Sequence, residues 1–96
     1  MKNFTLVYSD EALQNLREII LYIGADNIEK ALEYRKGIEK VISNLSEFPY
    51  SGKQTKEIKT ERVCFYWNHK IFYSVNEFSF IVEIKYIRHG AMKDRK

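Results

Sequence analysis

The chain has 96 residues, a net charge of +3, 45% hydrophobic and 30% charged residues, and one cysteine. That length and apolar share give one folded domain with a modest core, residues 1–96, and exclude a disordered chain. Cys64 alone excludes an internal disulfide, no apolar run reaches the roughly 20 residues of a membrane span, and "MKNFTLVYSDEALQ" lacks a signal-peptide core, so a cytoplasmic protein away from membranes is expected.

Phe4 to Tyr8 is a short β-rich run. Ser9 follows as a helix N-cap, with Asp10 and Glu11 in the first turn, where the helix dipole favours negative charge. Leu13, Leu16, Ile20 and Ile23, flanked by Ile19, form one apolar stripe, and Gly24 is expected as the C′ residue that ends the helix. Asn27 caps a second helix. Its stripe runs through Ala31, Tyr34, Ile38, Val41, Leu45 and Phe48 and stops at Pro49. Gly37 interrupts this helix, which suggests close approach of another segment. The short link implies an antiparallel helical hairpin.

Pro49 to Glu61 reads as a turn and a lysine-bearing loop. Three strand-like runs follow: Arg62 to Trp67, Lys70 to Val75 and Phe80 to Ile87. The gaps at Asn68-His69 and Asn76-Glu77 suggest two-residue hairpins. In the last run strict alternation places Ile81, Glu83, Lys85, Ile87 and His89 on one face and Val82, Ile84, Tyr86 and Arg88 on the other. Both faces then mix apolar and charged residues. The expected fold is α+β in the order β-α-α-β-β-β: an N-terminal helical hairpin on a mainly antiparallel four-stranded sheet, with the first strand at an edge.

The basic balance suits a nucleic acid, a ribosome or an acidic protein surface. The cations concentrate after the last strand, as Arg88, His89, Lys93, Arg95 and Lys96, with Lys53 and Lys56 on the loop. No Ser-His-Asp arrangement, phosphate-binding glycine loop or paired-carboxylate site appears. Cys64, His69 and His89 lack metal-ligand spacing, so neither a metal nor a cofactor is expected. His69 falls in a hairpin gap and is expected to be an exposed turn residue. His89 before Gly90 is equally consistent with a strand cap and with a functional role, and terminal lysines and arginines are most often solvated tails.

The element order, "LREIILYI", "LSEFPYSGK", Arg62, "KIFYSV" and "IKYIRHGAMKDR" together resemble the RelE/ParE superfamily of type II toxins from bacterial toxin–antitoxin modules. The resemblance covers nearly the whole chain. The chain departs from the common pattern at Ile28, Lys53, Tyr86 and Ala91-Met92, which blurs the subfamily. Two activities are implied. A RelE-like ribosome-dependent mRNA endoribonuclease would be a metal-independent enzyme and would draw on Arg62, Arg88 and His89 as catalytic residues, with Lys53 or Lys56 nearby. Tyr73 and Tyr86 would be the substitutes for the tyrosine or acid–base residue such nucleases place after the last strand, which "GAMKDRK" lacks. A ParE-like toxin would instead bind DNA gyrase without catalysis, using Arg88, His89, Lys93, Arg95, Lys53 and Lys56 as contacts. The balance leans to the ParE-like branch, of the kind found in plasmid stabilisation modules. The resemblance also implies a cognate antitoxin that folds over apolar surface near Tyr8, Tyr22 or Trp67 in a toxin–antitoxin hetero-oligomer. An inactive homologue that keeps only antitoxin binding is a third alternative.

Overall fold

The computed structural model describes residues 3–90; Lys93, Arg95 and Lys96 lie outside them. Strand β1 (Thr5–Tyr8) leads into helix α1 (Asp10–Gly24). Ser9 caps this helix as expected: its Oγ accepts from the Ala12 N–H at 2.9 Å and donates to the Lys85 carbonyl at 2.6 Å. One hydroxyl thus satisfies an orphan helix donor and fixes α1 to a strand 76 residues away. Ala12 and Leu16 face the core, whereas Leu13, expected on the inward stripe, is 46% exposed. Gly24 does not act as a C′ residue. It is the last residue of α1, Ala25 caps in the right-handed region, and a Cβ on Gly24 would sit 3.5 Å from the Ala31 side chain. That is an ordinary van der Waals contact, so the space there would also take an alanine.

Helix α2 (Ile28–Ser43) starts at Asn27, whose side chain accepts from the Lys30 N–H. It buries Ala31, Ile38 and Ile42. The helix gives way at Ser43 to a tighter 3₁₀ turn, Asn44–Ser46, ahead of Pro49. The change of pitch keeps Leu45 inside but swings Phe48 out of the stripe, leaving it 58% exposed. Gly37 does admit another segment, since a Cβ there would overlap the Tyr66 phenol.

The sheet has five strands in the order β1-β5-β4-β3-β2, with β1 parallel to β5 at one edge and the other pairs antiparallel. The additional strand is β2 (Lys53–Gln54), drawn from the expected loop and paired with Val63 and Arg62. Strands β3 (Glu61–Tyr66), β4 (His69–Asn76) and β5 (Ile81–His89) form the meander. The first hairpin turns at Trp67-Asn68, not Asn68-His69, with Trp67 at φ 51°. His69 is therefore not an exposed turn residue; it pairs with Tyr66 in the sheet and is half-buried. The second hairpin is wider, spanning Glu77 to Phe80, and the Asn76 side chain accepts from the Phe78 and Ser79 N–H groups.

A β-bulge corrects the expected faces of β5. Phe72 pairs with Tyr86 and Tyr73 with Ile84, so Lys85 is an extra, unpaired residue. The bulge resets the alternation. Val82, Ile84, Ile87 and His89 face the helices, while Glu83, Tyr86 and Arg88 face away. The apparent mixing of apolar and charged residues disappears once the ladder is read in register. The helix-side face closes a core of Leu16, Ile38, Ile42, Leu45, Ile71, Tyr73, Val82 and Ile84. Among the described residues no helix is long and apolar enough to cross a membrane.

Tyr73 ties this core to the turn after α2. It is fully buried, donates to the Pro49 carbonyl at 2.8 Å and accepts from the Gly52 N–H at 2.9 Å. Tyr73→Phe leaves both backbone groups unpaired in the interior and is expected to cost about 1–3 kcal/mol, or roughly 5–20 °C in melting temperature. Thermal unfolding followed by circular dichroism checks this; an unchanged melting temperature would show that water replaces the hydroxyl.

Candidate functional site

Both helices pack on one face of the sheet, and the other face is open. There β2, β3, β4 and β5 form a concavity of about 560 Å³ whose lining includes Lys53, Lys56, Phe65, Lys70, Phe72, Tyr86 and Arg88. The aromatic floor is ordered: Phe72 and Tyr86 stack at 4.8 Å, and the Arg88 guanidinium sits 4.5 Å above the Tyr86 ring. Arg88 also lies 3.8 Å from Glu11 Oε2, with both side chains more than half exposed, so this ion pair adds little.

Glu61 organises the wall of the concavity. It is the one buried charged residue among the described residues, 2% exposed. Tyr86 Oη donates to its Oε2 at 2.8 Å, Lys85 Nζ at 3.2 Å, and Thr55 Oγ1 bonds Oε1 at 3.1 Å. The bulge is what turns Lys85 and Tyr86, adjacent in sequence, towards the same carboxylate. Burial pushes the Glu61 carboxyl up, but the hydrogen bonds from Tyr86, Lys85 and Thr55 outweigh it and hold the group below its ordinary value. Tyr86 moves the other way, raised by burial and then by its bond to Glu61. A carboxylate kept ionised and a phenol kept neutral, each bonded to the other, form a structural clasp.

The structure brings Lys53, Lys56 and Arg88 to one concavity but separates the three residues expected to act together in catalysis. Arg62 faces the helix side. Its Nη1 donates to the Gly52 carbonyl at 2.7 Å and the Tyr50 carbonyl at 3.3 Å, and its guanidinium lies 5.1 Å from the Tyr50 ring centre. His89 also faces the helix side, paired with His69 across β4 and β5. Arg88 alone of the three is on the open face. Tyr73 is buried. Lys93 and Arg95 lie outside the described residues. Glu61, Lys70 and Lys85 were not expected at the site. Simple alternation of β3, β4 and β5 places Glu61, Lys70 and Lys85 on the open face, but Tyr86 and Arg88 cannot be placed there without the bulge.

Behind the sheet, His69 Nδ1 lies 2.6 Å from Tyr34 Oη. Burial, and then the neighbouring His89, lower the pKa of His69.

A family model described as the ParE toxin of type II toxin-antitoxin system, parDE, matches residues 6–94. The chain belongs to this family. Two solved structures share the fold with this ParE-family chain. One is from the chromosomal ParDE toxin–antitoxin system of P. aeruginosa, at 19% identity and TM-score 0.76, covering 92% of this chain and 97% of the other. The second is from the RelBE2 toxin–antitoxin complex of Mycobacterium tuberculosis, at 18% identity and TM-score 0.62, covering 91% and 98%. No curated protein matches the chain. On the ParE-family scaffold, the open face presents cations and stacked rings, with the nearest proton-transfer groups locked in the Glu61–Tyr86 clasp. Glu57 and Glu61 also line this concavity beside Lys53, Lys56, Lys70 and Arg88.

Proposed function

We propose that this chain is the toxin of a type II toxin–antitoxin pair and acts by binding DNA gyrase through the cationic open face, without catalysis of its own. The observation that carries this is the separation of Arg62, Arg88 and His89. Cleavage of RNA needs a base, an acid and phosphate-stabilising cations around one phosphate, whereas here Arg62 braces a turn and His89 lies across the sheet from Arg88.

The same reading includes a cognate antitoxin, as in the RelBE2 toxin–antitoxin complex and in keeping with a neighbour from a ParDE toxin–antitoxin system. The outer surface of the helical hairpin suits one. Ile20, Leu21, Gly24, Ile28 and Leu32 line an apolar groove of about 470 Å³, and Leu21, Ile28 and Leu32 are each more than half exposed. An amphipathic segment that folds as it binds would cover this groove in a hetero-oligomer.

Pulse labelling after induced expression, without an antitoxin, tests the target. DNA synthesis is expected to fail first while translation continues. If protein synthesis stops first, the ribosome-dependent endoribonuclease takes its place. If neither changes, the chain is an inactive homologue that keeps only its antitoxin.

A further inference from the structure

The chain contains two histidines, 20 positions apart, and the fold brings them together. His69 opens β4 and His89 closes β5, and the two are direct cross-strand partners on the helix-side face. Their ring centres are 5.4 Å apart with planes at 87°. A metal–nitrogen bond of about 2.0–2.1 Å puts an imidazole centre roughly 3.2 Å from the ion, so two rings at a tetrahedral angle lie about 5 Å apart. The observed separation is within the reach of two imidazoles sharing one ion, in an edge-to-face arrangement of the rings.

The His69 ring is held by a relay. Tyr34 Oη donates to the Tyr66 carbonyl at 3.2 Å and lies 2.6 Å from His69 Nδ1. Metal binding through Nε2 calls for the tautomer in which Nδ1 carries the hydrogen and donates it to Tyr34 while the Tyr34 hydroxyl proton goes to the Tyr66 carbonyl. Both contacts allow it, and it is the arrangement that outer-shell partners impose on metal-binding histidines. Tyr34 and Tyr66 also pack edge to face at 4.9 Å, which limits movement of the relay. In front of the pair is a concavity of about 400 Å³ between α1, α2 and the sheet, where Glu18 and Asn15 also stand.

We propose that His69 and His89 form a binding site for one transition-metal ion of the imidazole-preferring class, Zn²⁺, Ni²⁺ or Cu²⁺. Among the described residues no group of three or more His, Cys, Asp or Glu side chains is placed to hold a metal. The chain thus supplies two ligands, and solvent or a partner's side chain completes the shell. That makes it an open, exchangeable site in place of a closed structural one. It does not depend on which target the toxin has.

The test uses the untagged full chain and the metal salt alone, in a buffer without coordinating amines. Calorimetric titration with Zn²⁺ and Ni²⁺ is expected to give one ion per chain. In proton NMR the imidazole C–H signals of both histidines should shift together and saturate at that ratio. His69→Gln and His89→Gln should each weaken binding at least tenfold, and Tyr34→Phe by about tenfold through loss of the relay. His89 is exposed, so His89→Gln tests the site without threatening the core. Absence of saturable binding by the wild type, or undiminished binding by folded His89→Gln, would overturn the proposal.

Discussion

Glu61→Ala is expected to lower the melting temperature by about 10–20 °C, on a cost of roughly 2–3 kcal/mol. The carboxylate receives three hydrogen bonds. Its removal leaves Lys85 without its partner at 29% side-chain exposure and leaves the Tyr86 hydroxyl unsatisfied. Residual access of Lys85 to water keeps the cost below that of a fully buried broken pair. The loop after β2, which carries Lys56, loses its side-chain bond from Thr55 Oγ1 to the carboxylate at the same time. The pH dependence gives an independent signature. The native carboxyl lies below its ordinary value near 4.5, so its contribution is fully present above that pH and is lost as pH falls through the depressed native value. Wild-type stability should therefore drop below about pH 4.5 more steeply than that of Glu61→Gln, which cannot titrate. Urea midpoints from pH 3 to 7 measure both; parallel curves would remove Glu61 as the titrating group.

The second large effect concerns the target. Reversing Lys53, Lys56 and Arg88 to glutamate takes the net charge from +3 to −3, two units at each of three positions. All three side chains are on the surface, so the fold should survive. Clustered charge raises association rates by about 10–1,000-fold, and reversal should remove that gain and add repulsion towards an acidic or DNA-bearing target. At least a tenfold higher concentration should be needed to inhibit gyrase supercoiling, and growth arrest on induction should fade. The wild-type effect should also weaken as salt rises. Full toxicity in the folded triple variant would place the target contact elsewhere, with the apolar hairpin groove the next surface to test.

These outcomes separate roles that the sequence alone groups together. Arg62 and Arg88 are both strand-borne arginines in a family-like context, yet one satisfies the carbonyls of Tyr50 and Gly52 and the other lies over the half-buried Tyr86 ring on the open face. Arg62→Ala should act through stability and Arg88→Ala through target binding.

The sequence by itself determined the elements whose causes are local. Ser9 and Asn27 cap helices because a short polar side chain reaches an amide three residues on. The helical stripes, the Pro49 turn and the β-rich runs follow from spacing within a few residues, and with them the α+β order; the family came from the resemblance of whole segments, not from spacing. Only the tertiary structure decided what depends on one strand meeting another. Lys85 is an ordinary strand residue until β4 pairs with β5 and leaves it unmatched, and that one slip sends Tyr86 and Arg88 to the open face. Lys53–Gln54 becomes a strand only because β3 presents an edge to it. His69 and His89 carry no joint signal across the chain, yet the hairpin makes them neighbours. Register and bulges belong to pairs of strands, and the face a side chain occupies follows from them.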